Sequence, residues 1–433
     1  MKALLTRLTQ NKFLRNVLTV ASGTAIAQII TIVFSPLITR LYGPEPYGLF
    51  GIFISLSNLM AIIAALGYPA AIVLPQSDAM GLKLVKLSIS ISIIMSFLAT
   101  SIFFFYGESL LLLLNAEQIS RFLFFIPLTM LAMAINTILV QWLIRKKAFN
   151  ITARYTALTA VIVNFAKVGL GSLQQTASIL IIVQLGGSLI GSASMFLSWK
   201  KSNRRRPSIT NDTTHTISYT ALAQQYSDFP LLRTPQNIIN AISQSLPFLL
   251  LSAYFGTNEA GQYALAVSVL NVPITLIGNS VMTVFYPLIN ETIRNNNNPR
   301  PLIIKTTLAM ALSGLLPFLL ISLFGPVLFS FIFGKEWEIS GIYAQILSVW
   351  LFLQYINKPA VSAVPSLRLQ GGLLIYEFFS TLTKIFALWI GFFFYQNAIV
   401  SITLFSLSGS IAYIFLIIWI VSKSNKFIIN NHA

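Results

Sequence analysis

Four cations, Lys167, Arg233, Lys358 and Lys384, stand inside otherwise apolar stretches of a 433-residue chain. In a stretch that crosses a bilayer, each charge lies at or near hydrocarbon depth. A charge at the centre of an inserted helix costs at least ~2.5–3.5 kcal/mol, and such residues face a wet cavity or a partner. Only two acids, Asp228 and Glu377, lie near them in sequence. Glu377 precedes Lys384 by seven residues, so the two share a helix face as candidate charge partners. Asp228 precedes Arg233 by five. Two carboxylates cannot neutralise four cations, and the surplus positive charge suits a path for something anionic. Amides accompany the cations. Arg233, Asn237, Asn240 and Gln244 recur at three- and four-residue spacing and form one helical stripe. Gln345, Gln354 and Asn357 accompany Lys358 on its span, Asn357 and Lys358 at three- and four-residue spacing from Gln354. Such amides serve either hydrogen bonds between helices, worth only ~0.6 kcal/mol each on average, or a hydrated wall able to bind sugar hydroxyls.

Composition decides the environment of these residues. The chain is 56% hydrophobic and 9% charged, with mean hydropathy +0.78. Soluble domains carry about 25% charged residues, so this chain cannot cover a water-facing surface of its size. The net charge of +17 does not signal nucleic acid, because the cations cluster in short segments between apolar runs and form no basic stripe interleaved with aromatics. Cysteine is absent, which excludes disulfides, thiol catalysis and thiolate metal sites. The two histidines, His215 and His432, lie far from any carboxylate cluster, so no metal site is expected. No paired-carboxylate motif or phosphate-cradling glycine loop is present. The chain does not read as an enzyme, and no cofactor is expected. Any drive comes from an ion gradient such as protons or sodium, from the membrane potential, or from the gradient of the cargo.

The elements that position the cations are transmembrane helices of about 20 mostly apolar residues. Twelve are expected, at 16–39, 47–70, 85–106, 119–143, 155–174, 177–198, 228–255, 260–289, 303–332, 339–364, 372–395 and 397–421. Val17 to Ala21 is too short for the core of a signal peptide, so the first span is read as uncleaved. With both termini in the cytoplasm, 21 cations fall in cytoplasmic segments and 3, Arg40, Arg121 and Lys335, in outer ones, the other 4 being the intramembrane set. That asymmetry obeys the positive-inside rule. The longest polar segment, with Arg204, Arg205 and Arg206, divides the chain into a six-helix N-terminal lobe (1–198), a cytoplasmic linker (199–227) and a six-helix C-terminal lobe (228–433).

The two halves resemble each other. Tyr42-Gly43 and Gly48…Phe50 match Phe255-Gly256 and Gly261…Tyr263 at one offset, and Tyr68-Pro69 matches Tyr286-Pro287 near the ends of spans two and eight. Six spans per half place both halves in the same orientation. The expected fold is therefore an all-α polytopic membrane protein of two six-helix lobes, related by a pseudo-two-fold along the membrane normal.

Several stretches carry a family resemblance. Phe34-Ser35-Pro36-Leu37-Ile38-Thr39-Arg40-Leu41-Tyr42-Gly43-Pro44-Glu45-Pro46-Tyr47-Gly48 is similar to the first-span signature of Wzx-type oligosaccharide flippases. So is Gln141-Trp142-Leu143-Ile144-Arg145-Lys146-Lys147-Ala148-Phe149. Asp228-Phe229-Pro230, Thr234-Pro235-Gln236-Asn237, Gln244-Ser245-Leu246-Pro247, Phe255-Gly256 and Val284-Phe285-Tyr286-Pro287 resemble the polysaccharide biosynthesis exporter family. That family lies within the multidrug/oligosaccharidyl-lipid/polysaccharide exporter superfamily. The resemblance implies flipping of a polyprenyl-diphosphate-linked oligosaccharide, an O-antigen, capsule or similar repeat unit, across the bacterial inner membrane by alternating access through a cationic lumen. It also implies partners that extend the glycan, a polysaccharide polymerase and chain-length proteins. Lys384, Arg233, Lys358 and Lys167 would meet the diphosphate, and Asn237, Asn240 and Gln244 the sugar. A cation-coupled drug exporter of the same superfamily would carry an acid in its first span, and none stands between Asn16 and Thr39. A glycan polymerase or ligase would carry a large outer loop, and the outer loops here are short.

Overall fold

A computed structural model describes residues 12–75, 77–204, 218–295 and 297–429. Lys2, Arg7, Arg205, Arg206, His215 and His432, and most of the expected linker, lie outside the described residues. Among the described residues the chain is helical with no strand. At hydrocarbon depth every backbone N–H and C=O must be satisfied within the segment, and a helix does so.

The long helices are α1 (Lys12–Tyr42), α2 (Pro44–Ala64), α3 (Asp78–Leu113), α4 (Phe125–Arg145), α5 (Phe149–Gly171) and α6 (Ala177–Arg204). After the short α7 (Tyr219–Gln225) come α8 (Thr234–Phe255), α9 (Thr257–Pro273), α10 (Asn279–Arg294), α11 (Arg300–Phe333), α12 (Glu338–Ala363), α13 (Gln370–Tyr395) and α14 (Ala398–Ile429). Eleven segments are long and apolar enough to cross a membrane. The remaining expected span coincides with α5, 23 residues long but not among those eleven, because Arg154, Asn164 and Lys167 reduce its hydropathy. The all-α polytopic reading holds, and a count of twelve is compatible with these helices.

The ends differ from the sequence reading for physical reasons. The third span was expected at 85–106, yet α3 runs from Asp78 to Leu113. Ser77 caps it, its Oγ accepting from the N–H of Met80 at 3.3 Å. The second span does not continue to residue 70. It stops at Ala64, and a 3-10 turn, Tyr68–Val73, follows Gly67. Two spans are interrupted by π turns: Phe229–Arg233 before α8, and Ile274–Gly278 joining α9 to α10. Pro230 lies in the first and Pro273 directly precedes the second. A proline removes one i→i−4 hydrogen bond and crowds the carbonyl four residues back, and a wider turn accommodates both.

Internal contacts divide the chain into two compact units, Met1–Tyr42 with Leu49–Ser245, and Gly43–Gly48 with Leu246–Ala433. Residues 228–245 group with the first. The first unit has a core of Tyr68, Ile72, Leu84, Ile138, Trp142 and Phe229, and the second one of Phe285, Ile289, Ala360, Leu416 and Ile420.

In the second unit the repeated glycine motifs meet. Gly43 and Gly256, equivalent in the repeat, both take positive φ, +70° and +92°, one residue before α2 and α9 begin. Gly48 and Gly261 then face one another. A Cβ on Gly48 would lie 1.9 Å from the carbonyl oxygen of Thr257, and one on Gly261 would lie 2.0 Å from that of Pro44. Pro44 and Thr257 are themselves equivalent positions, so the contact is reciprocal. The Tyr-Pro match does not extend to local structure: Pro69 opens a 3-10 turn, whereas Pro287 lies inside α10.

Candidate functional site

Lys167 is buried, 9% exposed, on α5. Its Nζ donates to Gln184 Oε1 of α6 at 3.0 Å and lies 4.5 Å from the ring centre of Phe50. Its carbonyl accepts from Tyr42 Oη at 2.7 Å. The charge is held by an amide dipole and an aromatic face, with no carboxylate. Sequence reasoning named Lys167 but missed Gln184, whose only signal was a lone amide in the apolar sixth span.

Arg233 closes the first π turn and is exposed, with Cζ 4.8 Å from the ring centre of Phe229. Phe229 is buried in the first unit's core. Thr234 caps the turn, its Oγ1 donating to the Phe229 carbonyl at 3.1 Å. Asn237, Asn240 and Gln244 continue along α8, all exposed. Hydrocarbon would leave the polar groups of this exposed guanidinium and three amides unsatisfied. Asp228, the candidate partner of Arg233, is exposed and forms no ion pair with it.

Lys358 lies on α12, and its Nζ donates to Asn279 Oδ1 at 2.7 Å. Asn279 opens α10 directly after the second π turn, and the lysine stem crosses Gly278, where an added Cβ would lie 2.9 Å from the lysine Cδ. Lys384 is half-buried near the middle of α13. Glu377, also half-buried, interacts with it electrostatically from two turns away, but not as an ion pair within 4 Å.

The chemistry of the four is therefore alike. Among the described residues none of the four cations forms an ion pair, and those with a close partner have a neutral one. Within a unit, no hydrogen bond joins Lys167 to Arg233 or Lys358 to Lys384. By contrast, Asp78, at the start of α3, pairs with Lys146 and with Arg145, the latter at 3.1 Å. Arg145 also donates to the carbonyls of Ile72 at 3.1 Å and Pro75 at 2.7 Å, which fixes the loop after the 3-10 turn.

A second buried network escaped sequence reasoning. Gln262 of α9, 2% exposed, donates to the Glu336 carbonyl at 2.7 Å and accepts from Ser340 N–H at 3.0 Å and Ser340 Oγ at 2.6 Å. Nearby, Tyr343 Oη donates to Glu259. The available signal was the departure of Gln262 from its repeat equivalent, Leu49.

Comparison with known proteins bears on the family and the fold. The family of polysaccharide biosynthesis proteins matches residues 37–341. The succinoglycan biosynthesis transport protein ExoT of Rhizobium meliloti (strain 1021) is 21% identical over 358 residues, which cover 81% of this chain and 67% of the relative. The lipid II flippase MurJ in an inward closed conformation superposes with a TM-score of 0.69 at 16% identity, covering 94% of this chain and 89% of that one. An inward-facing multidrug resistance MATE transporter of the MOP superfamily gives 0.66 at 15% identity, covering 94% and 98%. At such identities the structures establish a shared fold. The family match spans well over half the sequence, and it bears out the resemblance carried by the first-span and α8 motifs: the chain belongs to the polysaccharide biosynthesis protein family.

Proposed function

We propose that this protein is a flippase that carries a polyprenyl-diphosphate-linked oligosaccharide from the cytoplasmic to the outer leaflet of a bacterial inner membrane. The observation that carries the reading is the set of four intramembrane cations without a carboxylate ion pair. A fold does not keep uncompensated charge at such depth without use for it. A diphosphate supplies the missing negative charge, and its oxygens accept charge-assisted hydrogen bonds from ammonium and guanidinium groups. Membership of a polysaccharide biosynthesis family supports a glycan-bearing cargo.

In this scheme Lys384, Arg233 and Lys358 hold the diphosphate in turn as the path alternates its opening. The amides of Asn237, Asn240 and Gln244 hydrogen-bond the sugar, while the prenyl tail stays in the bilayer. Lys167, held by Gln184 and Phe50, completes the set of cations along the path. Both termini face the cytoplasm. A membrane potential negative inside drives an anion outward by about 2.3 kcal/mol per charge per 100 mV, so the scheme needs no resident cofactor. A proton or sodium gradient would add to that drive.

The test is deletion of the gene, with an assay of surface polysaccharide and of lipid-linked precursor, followed by complementation. Intact precursor held in the inner leaflet, released by the native gene but not by Lys384→Ala, is the expected result. Single repeat units still reaching the surface would indicate a polymerase. Unchanged polysaccharide with new drug sensitivity would indicate a drug exporter.

A further inference from the structure

Two of the four cations are held in the same way, by an amide oxygen from another helix. In the second unit Lys358 Nζ donates to Asn279 Oδ1 at 2.7 Å, and in the first Lys167 Nζ donates to Gln184 Oε1 at 3.0 Å. A carboxylate at either place would be the stronger acceptor for an ammonium. The chain uses one elsewhere: Asp78 pairs with Arg145 and Lys146, which lie outside the set of four.

The two kinds of acceptor differ in charge. An ammonium carries three donors and one positive charge. An amide oxygen takes one donor and cancels no charge, which leaves two N–H groups and the full charge for an anion. A carboxylate takes the same place and neutralises the charge locally. An incoming phosphate would then meet an ion pair instead of a cation.

The surroundings of Lys358 are shaped for the amide contact. Its stem crosses Gly278, where an added Cβ would lie 2.9, 3.1 and 3.3 Å from Cδ, Cε and Nζ. Gly278 has ordinary helical angles, φ −58° and ψ −47°, so its backbone does not require glycine, but clearance for the lysine does. The second π turn ends at Gly278, and Asn279 opens α10. Aligned on Tyr68-Pro69 and Tyr286-Pro287, Gly278 and Asn279 correspond to Met60 and Ala61 of α2. The repeated fold therefore needs neither the clearance nor the amide.

We propose that Asn279 and Gln184 are positioning residues for the cargo: each fixes a lysine ammonium with a neutral acceptor, so that Lys358 and Lys167 keep their charge for a phosphate-bearing anion. The inference rests on the transport reading above and adds the reason that the acceptors are amides.

The test uses full-length protein in proteoliposomes with a fluorophore-labelled polyprenyl-diphosphate oligosaccharide. Initial flipping rate is measured against cargo density, and every variant is melted. Asn279→Asp keeps shape and acceptor and adds a charge. Its melting temperature should equal or exceed the native one, while half-maximal flipping should need about tenfold more cargo or more. Asn279→Leu removes the acceptor, and Gly278→Ala displaces the lysine stem with the amide in place. Each should need about three- to tenfold more cargo, the worth of one hydrogen bond. Asn279→Ser, a neutral acceptor, should recover part of the loss seen with leucine. Transport and stability thus diverge at the aspartate, which a purely structural hydrogen bond does not produce. Gln184→Glu repeats the comparison in the other unit and decides it if Asn279→Asp does not insert. Native half-saturation in both acidic variants, or in Gly278→Ala, overturns the proposal and leaves the transport reading standing. Native protein that flips nothing sinks the transport reading, and this inference with it.

Discussion

At the scale of single residues, the contrast between Lys167 and Lys384 organises the expectations. Both are lysines in helices expected to span the membrane, yet Lys167 has a 3.0 Å amide acceptor and an aromatic face, whereas Lys384 makes no hydrogen bond among the described residues. Lys384→Ala should therefore leave the fold intact while abolishing translocation, and Lys384→Arg should restore part of it. Precursor accumulation and thermal melting measured on the same variants separate the two effects. Arg145 and Asp78 give a second contrast. Arg145, 7% exposed at its side chain, serves two carbonyls besides Asp78, which is 49% exposed. Hydrogen bonds to a charged group contribute about 1.5–3 kcal/mol each, while an exposed ion pair contributes ~0–1 kcal/mol. Arg145→Gln should thus reduce the melting temperature clearly more than Asp78→Asn does. Sequence reasoning found the cations because a charge in an apolar run is visible without any structure. It did not find Gln184 or Asn279, because a partner is defined by packing across helices, which linear spacing does not encode.

At the scale of elements, the span positions were legible because twenty apolar residues have few other uses. The interruptions were not. The π turns at Phe229–Arg233 and Ile274–Gly278 arise where a proline must be absorbed, and many prolines elsewhere, such as Pro247 and Pro287, are absorbed without one. Each π turn borders a candidate cation, Arg233 in the first and Lys358 against Gly278 in the second. The repeat, by contrast, was readable from four matched residues, and its physical cause is the crossing of α2 and α9. With 1.9 Å and 2.0 Å available at Gly48 and Gly261, no methyl group fits. Gly48→Ala or Gly261→Ala must push two helix backbones apart. Overpacking of this kind costs roughly 1–3 kcal/mol or more, and the expected outcome is a lower melting temperature or loss of membrane-inserted protein. An unchanged melting temperature for both variants would contradict the crossing.

At the scale of the whole molecule, topology rests on charge asymmetry. On the 21-to-3 distribution of cations, the positive-inside rule predicts both termini and the segment containing Arg204 on the cytoplasmic side. Reporter fusions after Lys147 and after Lys426 should be active with a cytoplasmic reporter, and fusions after Glu117 and Gln396 with an outer one. The all-helical membrane fold was legible because composition left no alternative. What the cargo is was not, since cations recognise a phosphate-bearing group without naming the sugar attached to it, and neutral amides accept many hydroxyl patterns.

The central claim is that a lipid-linked diphosphate crosses the bilayer along intramembrane cations. Its most direct test uses purified protein in proteoliposomes carrying a polyprenyl-diphosphate oligosaccharide with a dithionite-sensitive fluorophore on the glycan. With the native protein, dithionite added outside should quench the inner-leaflet pool as well as the outer one. With Lys384→Ala it should quench the outer pool alone. Full quenching by the variant, or quenching of the outer pool alone with native protein of proven insertion, would contradict the account.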